Sequence, residues 1–422
     1  MSKWRKLGDL VSYSGKGITP KYVDESSIIV LNQKCIRNHN IDYTLARYTD
    51  DTRSISQHKF LQTGDILVNS TGQGTAGRCA FVDKLPQDKK VITDSHILIL
   101  RFQNHFEAKC LSYVIFSIEE LVQTFMDGST GQGELDKVRL FNLMTSLTEN
   151  KLYQKQIAKV LSDLDAKIAL NNQINAELEA MAKLIYDYWF VQFDFPDANG
   201  KPYKSSGGKM VYNEELKREV PEGWEVKKIS SFAKTSSGGT PLRSKKEYYH
   251  NGNIPWINSG ELNQPFIVSS QKFITKEGLN NSSAKVFKKG TILIAMYGAT
   301  AGKVSFMDIE ACTNQAICAI DTHSNLRVYL KLGLETLYDY LVTLSSGSAR
   351  DNLSQDKIKE LKFVIPNEKL LQQFDKFTKA PLNNILANLK QNQQLTSLRD
   401  WLLPMLMNGQ VSVAAAEAMV NK

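Results

Sequence analysis

An internal duplication constrains this chain more than any other feature. Residues Gly290 to Asp308 read as an apolar strand, a Gly/Thr-rich turn, a basic residue and a second strand, and Gly64 to Asp83 repeat that order. The correspondence extends far beyond this stretch. Trp4 pairs with Trp224 at an offset of 220 residues, and Thr19-Pro20 with Thr240-Pro241 at 221. Asn32 pairs with Asn258, Lys59 with Lys285 and Gly64 with Gly290, all at 226. Arg78 with Lys303 and Asp83 with Asp308 fall at 225, while Thr93 with Thr313 and Asp136-Lys137 with Asp356-Lys357 return to 220. An offset that drifts and then closes marks two homologous halves with loop insertions. Units of this size are too large for solenoid repeats, so the reading is a tandem domain duplication.

Each half ends in a helical stretch. Ile157, Leu161, Leu164, Ile168, Asn171, Asn175, Leu178, Ala182 and Ile185 are separated by alternating steps of four and three, a heptad seam free of Gly and Pro. Some 40 helical residues span roughly 60 Å at 1.5 Å per residue. The second seam runs through Leu371, Phe374, Phe377, Leu382, Ile385, Leu389, Asn392, Leu395, Leu398 and Leu402. It contains Pro381, which predicts a kink or a break. Asn171, Asn175 and Asn392 fall in the seams. Either they pair and set helix register, or the helices rotate to solvate them.

The expected organisation is α+β: two homologous mixed domains and two long antiparallel helices, related by a pseudo-twofold axis. The domains are 1–147 and 221–365, the helices 148–190 and 366–408. A polar Gly/Ser/Lys linker is expected over 191–220 and a frayed tail over 409–422. The aromatic run from Tyr186 to Pro196 reads as core rather than as a stacking platform.

Catalytic patterns fail on mechanism. Gly72 to Gly77 matches GxGxxG, but a strand-like segment follows where a dinucleotide site needs a helix, and the second copy lacks the pattern. The same window fails as a P-loop, since Arg78-Cys79 and Lys303-Val304 stand where Lys-Ser/Thr should bind phosphate and magnesium. Asn263-Gln-Pro-Phe266 approaches the base-gripping motif of amino-methyltransferases, but no cofactor loop accompanies it. Six scattered histidines offer no zinc spacing. Ser231 to Lys234 (SxxK) and Glu107-Ala-Lys109 lack the partners that catalysis would require. Five cysteines form no framework, which fits a reducing cytoplasm. No apolar run is long enough to span a membrane, and no signal peptide is evident at the start. A net charge of +8 favours a polyanionic partner, with ordinary solubility as the competing reading.

In this context the chain resembles the specificity subunit of type I restriction–modification systems. The resemblance rests on Trp224-Glu-Val-Lys-Lys-Ile, Gly238-Gly-Thr-Pro241 and the two Gly-x-Ile-Leu segments ending in Gly-Lys/Arg. It rests also on the Asp-Lys pairs before each helix, Trp189-Phe-Val-x-Phe and Leu402-Leu-Pro-Met-Leu-x-x-Gly409. It implies that each mixed domain reads one half of an interrupted asymmetric site in double-stranded DNA. It implies a non-catalytic chain whose helices space the domains and dock two methyltransferase subunits, with translocase–nuclease subunits joining for restriction. S-adenosylmethionine, ATP and Mg would then belong to those partners. One departure, Gly17-Ile18 where the second copy has Gly238-Gly239, suggests different loop geometry. The rival reading is a two-domain coiled-coil scaffold that binds no DNA.

For DNA contacts, basic residues at turns are the candidates: Lys21, Lys34, Arg37 and Arg78 in the first domain, and Arg243, Lys245, Lys246, Lys285 and Lys303 in the second. Arg78 and Lys303 lead, because glycine turns let backbone approach DNA closely, although a solvated hairpin end explains them too. Asn32 and Asn258 suit adenine edges, and equally suit ordinary turn positions.

Overall fold

The computed structural model describes residues 2–72, 74–127, 133–345 and 353–420. The chain divides into two compact units, Met1–Ile168 with Gln393–Lys422, and Ala169–Asn392. Both boundaries fall inside long helices. The central helix spans Lys151–Tyr186 and the distal helix Glu368–Met407.

In the first unit, strands Val11–Lys16, Ile97–Phe102, Ile66–Asn69 and Cys79–Phe81 form one sheet in that order. A second sheet has the order Lys90–Thr93, Ile28–Leu31, Arg47–Thr49, Tyr22–Val23, and its first two strands are parallel. The second unit repeats this with Ala233–Ser237, Ile317–Thr322, Ile292–Ala295 and Val304–Met307, extended by Phe266–Ile267. Ile254–Ile257 and Ala311–Thr313 reproduce the parallel pair. Ile66–Asn69 and Ile292–Ala295 are buried throughout, because neighbouring strands and packed faces enclose them. Helices His105–Ser117 and Ser324–Thr336 cover equivalent positions.

Gly17 and Gly238 show how alike the copies are. A Cβ at either would lie about 2 Å from the carbonyl oxygen of Thr93 or Thr313. The next residue bonds that same carbonyl in both: Ile18 N–H to Thr93 at 3.0 Å, Gly239 N–H to Thr313 at 2.9 Å. The loop therefore keeps its geometry here, contrary to the expectation from Ile18. Gly239 is glycine because Ser283 and Ala284 occupy the space a side chain would need.

The paired helices carry the seams as expected, with local corrections. In the first unit Ile157, Leu161 and Leu164 are buried with Leu395, Leu402 and Leu406. Tyr113 donates to Asp165 at 2.6 Å, and Arg399 reaches the same carboxylate at 2.8 Å. In the second unit Phe374, Ile385 and Leu386 are buried with Tyr186, Trp189 and Phe190. The aromatic run is core, and Phe195 stacks on Trp224 at 5.0 Å. Phe377, read as a seam residue, is 60% exposed. The distal helix is not broken at Pro381. Core side chains on both sides, Phe374 and Ile385, hold it helical against the roughly 3 kcal/mol that an interior proline costs. The Thr378 hydroxyl donates to the Phe374 carbonyl at 2.9 Å in the same turn.

Two segments are more ordered than expected. The polar stretch before the second domain forms a hairpin, Met210–Asn213 with Arg218–Pro221, because Asn213 caps its turn and Lys217 takes φ 49°. The tail forms a helix, Val413–Val420, that buries Val413 and Ala416.

Asn171 and Asn175 are buried, Asn392 is half-buried, and each has a hydrogen-bond partner across the helix pair. Asn171 donates to Gln391 and Asn392, each at 2.8 Å. Asn392 donates to Asn172 at 2.8 Å, and Asn388 to Asn175 at 2.9 Å. As one helix advances from 171 to 175 the other falls back from 392 to 388, so the pairing in this unit is antiparallel. Asn171→Ala should lower unfolding stability by about 1–3 kcal/mol, since it strands the half-buried acceptors of Gln391 and Asn392. Asn171→Leu with Asn392→Leu should restore most of that loss, as thermal denaturation would show; equal losses in both variants would refute the pairing.

Candidate nucleic-acid interface

In the first unit, Lys34 precedes and Arg37 lies within a short hairpin, Ile36–Arg37 with Asn40–Ile41. Asn38 and His39 form its turn at φ 50° and 62°, a backbone suited to a two-residue loop. His39 ties the hairpin down. Its ring stacks on Phe116 at 4.3 Å, its Nε2 lies 3.4 Å from Glu119, and its backbone bridges to Ala80. Glu119 also accepts the Cys79 N–H at 2.8 Å. Although desolvation would raise the Glu119 carboxyl, hydrogen bonds from His39 and Cys79 leave its pKa below the ordinary value.

The turn that bears Arg78 lies on the same sheet edge. The Arg78 guanidinium donates back to the Gly74 carbonyl at 2.7 Å. Gly77 adopts φ 83°, and a Cβ there would lie 2.7 Å from the Gln123 backbone. Packing against helix Glu119–Gln123 thus accounts for this glycine. In the second unit Gly302 takes φ 79° beside Leu341 and Val342, and Lys303 Nζ sits 4.5 Å from the Tyr338 ring centre. Both favoured turn residues therefore have partners inside their own domains.

The remaining candidates separate by partner. Lys21 pairs with Asp50 at 3.0 Å, and Lys245 with Glu247 at 3.3 Å. Lys285 donates to Ser236 at 3.2 Å. Asn32 accepts the Lys34 N–H at 2.9 Å, and Asn258 forms a capping box with Glu261. Their amides serve the turns that follow the strands. Lys34, Arg37, Arg243 and Lys246 are exposed and form no ion pair among the described residues. Arg243 and Lys246 lie on the loop leading into the turn Lys246–Tyr248. The structure thus groups Lys34, Arg37 and Arg78 on one edge of the first domain, places Lys21 on its other sheet, and groups Arg243, Lys245 and Lys246 on one loop of the second.

Sequence reading missed Arg47, which stacks on the exposed Tyr22 ring at 3.5 Å beside Lys21. Strand pairing across the sheet brings them together, and neither residue's spacing announces it. Among the described residues no group of acidic, His and Cys side chains suits a metal ion, all five cysteines are buried, and no helix is long and apolar enough to cross a membrane.

Two copies of one mixed domain, each with exposed cations on variable loops and each followed by a long helix, define a duplicated recognition protein. A family model described as the type I restriction modification DNA specificity domain matches residues 1–180 and 221–392. The chain belongs to that family. It is 28% identical over 409 residues to the type I restriction enzyme HindI specificity subunit of Haemophilus influenzae, covering 84% of this chain and 88% of that protein. It is 24% identical over 280 residues to the EcoR124I/EcoR124II specificity subunit of Escherichia coli, covering 63% of each. The crystal structure of the type I restriction–modification S subunit from M. genitalium shares the fold, with a TM-score of 0.53 at 16% identity over 96% of each chain.

Different partners predict different DNA phenotypes. Arg37→Ala should weaken DNA binding by the assembled complex and reduce the salt slope by about 0.9 if it contacts one phosphate. Arg78→Ala should have the smaller effect, because its guanidinium is already engaged. Salt-titrated binding of both variants checks this order, and a dominant Arg78 would reverse it.

Proposed function

We propose that this chain is the non-catalytic, sequence-reading subunit of a type I restriction–modification complex. Residues 1–147 read one half of an interrupted, asymmetric duplex site, and residues 221–365 read the other. The observation that carries this reading is the duplication itself. One strand order occurs twice while the loops differ, as two unlike half-sites require. The basic loops at Lys34 and Arg37, and at Arg243 and Lys246, supply phosphate contacts that position each domain. Side chains on the same loops read the base edges.

The helices set the gap and dock two modification subunits. In the second unit the central helix leaves a second apolar stripe exposed: Leu170, Ile174, Met181 and Leu184. Their steps of four, seven and three keep one helix face, which suits an amphipathic helix of a partner. S-adenosylmethionine belongs to those partners, and ATP with Mg to the translocase–nuclease subunits.

Mapping methylated adenines in a host that co-expresses this chain with its modification subunit tests the function. A single interrupted asymmetric motif is expected, and exchange of residues 224–365 for another such domain should change one half only. An assembled complex that yields no motif would leave the scaffold reading. For docking, Leu184→Glu should weaken co-purification of the modification subunit by about tenfold, equivalent to about 1.4 kcal/mol. Undiminished capture would remove the stripe from the interface.

A further inference from the structure

One buried carboxylate joins the second reading domain to the distal helix. Asp308 follows strand Val304–Met307, and its N–H donates to the Ile267 carbonyl at 2.8 Å. Its side chain is 1% exposed, and two lysines close on it. Lys289 Nζ lies 2.7 Å from Oδ1 and Lys390 Nζ 2.6 Å from Oδ2. Lys289 belongs to the domain. Lys390 belongs to the helix and stands between Asn388 and Asn392, the residues that pair with the central helix. Burial would raise the Asp308 carboxyl, yet the two lysines outweigh it and hold its pKa below the ordinary range. The group therefore stays ionised at neutral pH.

The apolar contact between the sheet and the distal helix, next to this junction, is partly open. A cavity of about 190 Å³ lies among Phe266 and Phe306 of the sheet, Lys331 of the covering helix, and Leu382 and Ile385 of the distal helix. Such a contact leaves a domain room to shift, whereas a two-lysine carboxylate has fixed partners. The first copy lacks this device. Asp83 is 62% exposed and pairs at 3.3 Å with Lys109 of its own domain.

We propose that Asp308 is a positioning residue that, through Lys390, fixes where along the distal helix the second domain sits, and so the gap at which the second half-site is engaged. This rests on the reading under Proposed function. A pair that only stabilised the fold would leave gap preference unchanged.

The test uses the complex assembled with modification subunits. Methylation rates are compared on the mapped site at its native gap and on sites with one base pair added or removed. Asp308→Asn and Lys390→Ala should each lower the native-to-shifted rate ratio by about threefold, the scale of a partly exposed ion pair, with both half-site sequences unchanged. Asp83→Asn should leave the ratio intact, and Lys390→Arg should retain it. An unchanged ratio in Lys390→Ala, whose half-exposed side chain can be removed without disturbing the core, overturns the proposal. Hydrogen exchange provides a readout free of DNA. Lys390→Ala should speed exchange together in residues 304–308 and 385–392, and unchanged exchange likewise overturns the proposal. If the wild-type complex methylates no interrupted site, the proposed function has failed instead, and the exchange comparison still decides whether Asp308 holds the domain to the helix.

Discussion

The amide contacts among Asn171, Asn172, Asn175, Asn388, Gln391 and Asn392 join the two helices in one alignment in the second unit. An all-leucine seam slides by a heptad at little cost, because one apolar contact resembles the next. A buried amide does not, since slippage strands donors and acceptors that have left water. A chain that spaces two reading domains depends on a single register more than on raw stability. Amides in the seam suit that demand, as polar residues do in other helix pairs.

Around this seam the two copies solve one attachment problem in different ways. In the first unit a helix aspartate, Asp165, receives Tyr113 from the domain and Arg399 from the distal helix. In the second, a domain aspartate, Asp308, receives a lysine from the helix. Position 333, the repeat-equivalent of Tyr113, is glycine, because the Tyr186 hydroxyl and the Phe363 ring fill the space there. The end of the central helix thus fills the place that Tyr113 takes in the first copy, and the anchor lies elsewhere. The duplicated sheets could then diverge in their loops while each stayed bound to its own helix segments.

The same economy explains the turns at Arg78 and Lys303. Their glycines fit beneath packed helices, Lys303 turns toward its covering helix and Arg78 bonds back to its own turn, so the repeated motif is largely architectural. The exposed cations free to meet a polyanion lie instead on loops that the two halves do not share. That division suits duplication followed by divergence of specificity: common residues build the scaffold, and the exposed cations lie on unshared loops.

Much of this was legible in the sequence. Strands declare themselves as buried Ile/Leu/Val runs between glycine turns, and the drifting offset declares the duplication, because homologous folds keep their core order while loops change length. Heptad spacing likewise named the seam asparagines before any partner was visible. Tertiary structure decided what spacing does not encode. Pro381 stays helical because core contacts on both sides outweigh its local cost, and Phe377 turns outward although its spacing fits the seam. Asn32 and Asn258 spend their side chains on caps. The Asp308–Lys390 contact joins residues 82 apart in sequence. Periodicity reports which face of an element is apolar, but which charged groups meet depends on how separate elements pack, and only the folded chain specifies that.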